Sequence, residues 1–91
     1  MYLLITYDIS SNKQRNKIDK ILSSYGDRVN YSVFEIKIKK HDMKKLIAKL
    51  KKLMDKDDSI RIYQLTYDAI QSALELNKNR NKPFESATSY V

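Results

Sequence analysis

No cysteine occurs among the 91 residues, so the chain has neither a disulfide framework nor a Cys-based zinc site. A single histidine, His41, excludes a His-rich metal cluster, and any metal must be a hard cation held by oxygen. The one glycine, Gly26, is placed at a helix end, which excludes the glycine-plus-aromatic strand signature of an RNA-recognition module. The opening apolar run is too short to span a bilayer, has no basic stretch before it and is stopped by Asp8 without a cleavage pattern. A cytoplasmic location and no membrane partner are expected. Acidic residues are also short, 11 against 18 Lys and Arg, and the net charge of +7 calls for a polyanionic partner. Nucleic acid fits that better than an anionic membrane surface.

What is present begins with Met1 to Ile9, a β-prone apolar run. Leu3, Ile5, Tyr7 and Ile9 alternate with Tyr2, Leu4, Thr6 and Asp8, and both sets are mostly apolar, as on a central strand covered on both sides. Asp8 then stands at the mouth of a core, as a cap for the next turn or as a chemical group. Ser10-Ser11-Asn12 supplies N-cap chemistry for a helix carrying Ile18, Ile21, Leu22 and Tyr25 on an arc of roughly 100°, closed by Gly26. Arg15, in its first turn, lies near the end of strand one, either solvated or facing that end.

Between Arg28 and Lys39 the alternation changes phase, from Val29, Tyr31 and Val33 to Phe34, Ile36 and Ile38, which needs two strands or one bulged strand. No Asn-Gly or Asp-Gly marks a tight turn, so Ser32-Val33 must turn without the usual residues. A second helix sets Met43, Leu46, Ile47, Leu50, Leu53 and Met54 on an arc of about 120° and lysines elsewhere. Nine of the 18 basic residues fall between positions 37 and 56, as a solvated face or a phosphate-binding one. Ile60 to Leu65 is a further strand, with Arg61, Tyr63 and Leu65 on one face. Thr66 to Leu76 suits a helix or a short strand at Ser72 to Leu76, and 77–91 reads as a flexible polar tail.

The order β, α, β, β, α, β predicts an α+β, ferredoxin-like sandwich over residues 1–76, two helices on one face of an antiparallel sheet. The other face would expose Tyr2, Leu4, Thr6, Tyr63 and Leu65, which predicts a two-fold homodimer. Such an axis near the end of strand one would pair Asp8 with its symmetry mate. One or two carboxylates suit Mg²⁺ or another hard divalent cation, which also takes phosphate oxygens as ligands.

Tyr7-Asp8-Ile9, Arg15, Tyr31-Ser-Val-Phe-Glu35 and Arg61-Ile-Tyr63, in this order and spacing, resemble the CRISPR-associated Cas2 family, over about Met1 to Leu76. The resemblance implies a ferredoxin-like homodimer, a metal-dependent endonuclease on RNA or duplex DNA involved in spacer acquisition and antiviral defence, and a partner of the CRISPR integrase. It implies that Asp8 of both protomers is the catalytic metal ligand, and that Tyr7, Arg15, Arg28, Ser32 and Phe34 surround the same cleft and contact nucleic acid. Arg15 and Arg28 would grip phosphates, while Phe34 is a cleft aromatic or an ordinary core residue. The resemblance also favours a last strand at Ser72 to Leu76 pairing with the partner protomer. The alternative function is a dimeric DNA-binding scaffold for the integrase that cuts nothing.

Overall fold

A computed structural model describes residues 1–85. Its elements run β1 (Tyr2–Asp8), α1 (Asn12–Ser23), β2 (Gly26–Asn30), β3 (Val33–Lys37), α2 (Lys40–Lys51), β4 (Ser59–Leu65) and α3 (Tyr67–Ser72). The four strands form one antiparallel sheet in the order β2-β3-β1-β4, the ferredoxin-like arrangement. β1 is central and pairs on both sides, Tyr2 to Thr6 with β3 and Tyr2 to Asp8 with β4: Ile5 lies opposite Phe34 on β3 and Ile62 on β4. Its alternation sends Leu3, Ile5, Tyr7 and Ile9 into the core beneath the helices, where they meet Ile18 and Leu22 of α1 and Leu46 and Leu50 of α2. Tyr2, Leu4, Thr6 and Asp8 face the other way and are less buried.

The phase change after Val29 is both of the things it suggested. β2 and β3 are separate strands joined through Tyr31-Ser32, and the register shifts between Arg28 and Asn30. Neither turn residue has positive φ, so this is not the primed turn that usually matches strand twist; the bulge supplies the extra twist instead. Asn30 Oδ1 accepts from the Tyr31 N–H at 2.8 Å, and the Ser32 carbonyl accepts from the Tyr7 N–H at 3.2 Å, which ties the turn to β1.

Gly26 does not cap α1 as expected. The helix ends at Ser23 with Ser24 as its C-cap, and Gly26 opens β2 with an ordinary negative φ. Glycine is needed there for space: a Cβ would lie 2.3 Å from the Glu35 carbonyl oxygen and 2.7 Å from Ile36 Cγ1.

The largest departure lies after β4. Thr66 Oγ1 accepts from the Ala69 N–H at 3.1 Å and starts the six-residue α3, and no strand forms at Ser72 to Leu76. The helix turns the chain away from the edge of β4, and the chain returns to the outer face of the sheet at Phe84, while 77–82 are exposed. Phe84 is 3 % exposed, packs with Ile70, Tyr2 and Leu65, and meets the Tyr2 ring edge-on at 5.6 Å. Its N–H donates to Glu35 Oε1 at 2.9 Å, and Arg80 Nη2 donates to the Val29 carbonyl at 3.4 Å. A polar stretch with one aromatic does not announce a docked segment, which is why it reads as a tail; 86–91 lie outside the described residues. Part of the sheet face expected to need a partner is therefore covered by the chain itself.

Candidate functional site

Asp8 is the last residue of β1 and pairs with Ser59, the first of β4, so it stands at the end of a central strand on the outer, less covered face. Its carboxylate is exposed and makes no hydrogen bond or ion pair among the described residues. The capping alternative fails because other residues do that work. Ser11 caps α1 by accepting from the Gln14 N–H at 3.3 Å. The loop after Asp8 is held by Asp58, whose Oδ1 accepts from Ser10 N at 3.1 Å and Ser10 Oγ at 3.2 Å, while its Oδ2 accepts from Asp55 N at 2.9 Å. These bonds, the one from the Asp55 N–H foremost, hold the Asp58 carboxyl below the usual carboxylate value. Sequence reading passed over Asp58. The signal was present in the Asp55-Lys-Asp-Asp58 spacing, which lets a side chain accept from a backbone N–H three residues earlier.

Tyr7, Arg28 and Phe34 do come together, but on the inner face. The Tyr7 hydroxyl donates to Asp19 Oδ1, and Arg28 Nη2 bridges to Asp19 Oδ2 at 2.6 Å. The rings of Tyr7 and Phe34 stack with centroids 6.2 Å apart at 30°, and the Arg28 guanidinium lies 5.5 Å from the Phe34 centroid. Burial, followed by the hydrogen bond to Asp19, pushes the Tyr7 hydroxyl up to about 12, so it stays protonated at neutral pH. Asp19, the hub of this cluster, was missed; it follows Ile18 at the rim of the helix's apolar stripe, where a carboxylate can reach a strand residue. Phe34 is 0 % exposed and Tyr7 6 %, so in this chain both rings lie in the core, with the Arg28 guanidinium over Phe34. Arg28 keeps half-open donors beyond those used by Asp19.

Arg15 is neither free nor far away. Its Nη1 donates to the Ile9 carbonyl at 3.3 Å, its Nη2 donates to Asn12 Oδ1, and its guanidinium carbon sits 5.7 Å from the Tyr31 ring centroid. It therefore bridges the start of α1, the loop after Asp8 and the β2–β3 turn. Ser32 takes part through its backbone carbonyl. The lysines of α2 are exposed, opposite the apolar stripe of Leu46 and Leu50, with Lys49 also donating to the Tyr25 hydroxyl at 3.4 Å, and His41 is exposed in the first turn of that helix.

Among the described residues no three His, Cys, Asp or Glu side chains converge on a possible metal position. At the end of β1 the Asp8 carboxylate is one oxygen donor without a hydrogen-bond or ion-pair partner among the described residues. That donor suits a cation such as Mg²⁺, which retains waters and shares phosphate oxygens, and does not suit zinc.

The family model of CRISPR associated protein Cas2 matches residues 1–73. The chain belongs to the Cas2 family. A CRISPR-associated endoribonuclease Cas2 of Mycobacterium tuberculosis is 40 % identical over 65 residues, a match covering 71 % of this chain and 58 % of that protein. The chain thus spans little more than half the length of that relative. A Cas2 endoribonuclease of Moorella thermoacetica is 34 % identical over 92 residues, covering 94 % of this chain and 96 % of its own. Among solved structures, Streptococcus pyogenes Cas2 superposes with a TM-score of 0.75 at 29 % identity, covering 84 % and 99 % of the two chains. A chain of a partial Cas6-RT-Cas1–Cas2 complex superposes with a TM-score of 0.73 at 31 % identity, covering 92 % and 96 %. These matches agree with the family and fold that the motifs at Tyr7-Asp8-Ile9 and Tyr31 to Glu35 implied.

Proposed function

We propose that the chain is a cytoplasmic, metal-dependent endonuclease that breaks phosphodiester bonds, RNA first, and that it serves spacer acquisition in antiviral defence. The observation that carries this reading is Asp8: an exposed carboxylate without a partner, at the end of a strand whose other side is fixed in the core, on a chain of charge +7. An unpaired acid on a surface built for polyanions repels its ligand unless a cation joins them. Asp8 would hold Mg²⁺ or a similar hard cation, together with Asp8 of a second protomer. When bound, the ion supplies positive charge against the phosphate and activates water for attack. Arg15 and Arg28 would fix the flanking phosphates, and the α2 lysines would add the salt-sensitive part of binding.

The homodimer is supported by what the C-terminal segment leaves open. Tyr63, Leu74 and Leu76 are exposed, and among the described residues no strand lies beside the outer edge of β4. A second reading, a non-cutting DNA scaffold for the CRISPR integrase, is favoured by the likeness to a chain found in a complex with Cas1.

The two readings separate in a cleavage assay on RNA and DNA with Mg²⁺ and with EDTA, run beside sedimentation. The nuclease reading expects a dimer and cleavage abolished by EDTA. Tight binding of duplex DNA without cleavage of either polymer would leave the scaffold.

A further inference from the structure

Tyr31 is the residue whose placement the folding argument does not account for. It occupies a two-residue turn, where glycine or asparagine is usual, and the residue is 67 % exposed. A large aromatic gains little there from burial, yet its surroundings hold it still. Asn30 Oδ1 accepts from the Tyr31 N–H, the Ser32 carbonyl accepts from the Tyr7 N–H, and the Arg15 guanidinium carbon lies 5.7 Å from the ring centroid. Arg15 is itself fixed, by the Ile9 carbonyl and Asn12. The result is a pre-positioned aromatic plane backed by a permanent cation, with much of its surface open.

Its location is as specific as its chemistry. The β1–β3 ladder ends at the pair Thr6 and Val33, and the Tyr7 to Ser32 bond extends that end by one residue. The turn therefore flanks the end of β1 where Asp8 stands.

We infer that Tyr31 and Arg15 form a stacking site for one unpaired base of a single-stranded nucleic acid, placing the adjoining phosphate at the Asp8 end of β1. Every base offers a π-face to an aromatic ring, and the guanidinium adds both cation–π attraction and a hold on the backbone. In a duplex both faces of every base are taken by neighbours, so this site selects unpaired strands, or frayed ends, over helices. The inference deepens the nuclease reading and rests on it for its purpose, but its test measures binding alone.

The test uses the full chain in EDTA, a fluorescent oligouridine and a duplex RNA of equal length, at fixed salt. Tyr31→Ala should weaken oligouridine binding by roughly 5- to 100-fold, the range for losing one stacked base, and change duplex binding by less than about twofold. Tyr31→Phe should bind as the native chain does, because the hydroxyl is not used. An oligouridine carrying 5-bromouracil should photocrosslink to the peptide containing Tyr31. An equal loss on both ligands, or no loss, would overturn the stacking site while leaving the nuclease reading in place. Failure of the native chain to bind either ligand would overturn both. Thermal melting of the three proteins guards the result, since a turn residue this exposed should leave the midpoint unchanged.

Discussion

On its inner face the sheet presents Leu3, Ile5, Phe34 and Ile36, all fully buried under α1 and α2. On its outer face it presents Tyr2, Leu4, Glu35, Lys37 and Tyr63, which one docked segment covers in part. The inner face is closed by two amphipathic helices whose stripes interlock with the strands, and its stability is spread over many side chains. The outer face depends on few contacts: Phe84 against Tyr2, Leu65 and Ile70, and the Phe84 N–H on Glu35. Burial raises the Glu35 carboxyl above its ordinary value, and nearby Asp27 adds to this, so the outer contact is made at some electrostatic cost. Surfaces of this second kind open and exchange partners more readily than cores do.

The contrast predicts a graded series of substitutions. Ile5→Ala, at the centre of the inner face, should cost about 2–5 kcal/mol in denaturant unfolding, a large share of the stability of so small a domain. Gly26→Ala should follow at about 1–3 kcal/mol, because its Cβ meets backbone at 2.3 Å and β2 must shift away from β3. Phe84→Ala should leave the global midpoint less changed than Ile5→Ala does, and instead speed tryptic cleavage after Lys78 and Arg80 by roughly tenfold or more. If Phe84→Ala lowered global stability as much as Ile5→Ala, the outer segment would be part of one core and the contrast would fail.

The smallest effect concerns the Tyr7 hydroxyl. It is held protonated up to about 12 against an ordinary 10.0, so the stability it contributes is whole below about pH 10 and is lost as pH rises through about 12. Asp19→Asn removes the charge behind two of the raising influences but not burial, the largest of them. The phenolate absorption titration should therefore move down, toward but not to the ordinary value. An unchanged titration would mean that Asp19 does not govern the cluster.

The same contrast explains what could be read in advance. Period-two alternation in Met1 to Ile9 and the stripe of Leu46 and Leu50 are signals of burial on one side, so the strands, the helices and their order were legible. Of the candidate site, the positions of Asp8 at the end of β1 and of Arg15 in the first turn of α1 could be read. The site was not legible where the deciding contact joins distant, chemically ordinary residues. Asp19 to Tyr7 and Arg28 joins three different elements, Asp58 to Ser10 and Phe84 to Tyr2 span long sequence separations, and none leaves a periodic trace. Gly26 was misplaced for a related reason: a glycine near a helix end usually serves backbone conformation, whereas here it serves a close strand approach.

Stability resides in the inner face, whereas the proposed function places its chemistry on Asp8, whose side chain makes no hydrogen bond or ion pair among the described residues. The direct measurement is Asp8→Asn, assayed side by side for thermal midpoint, nucleic-acid affinity and Mg²⁺-dependent cleavage. The midpoint should stay within about 0.5 kcal/mol of native, as for a surface change that breaks nothing. Affinity should hold or rise slightly, and cleavage should fall by orders of magnitude. Cleavage equal to that of the native chain would contradict the account, because the Asp8 carboxylate would then not be the group that makes this chain a nuclease.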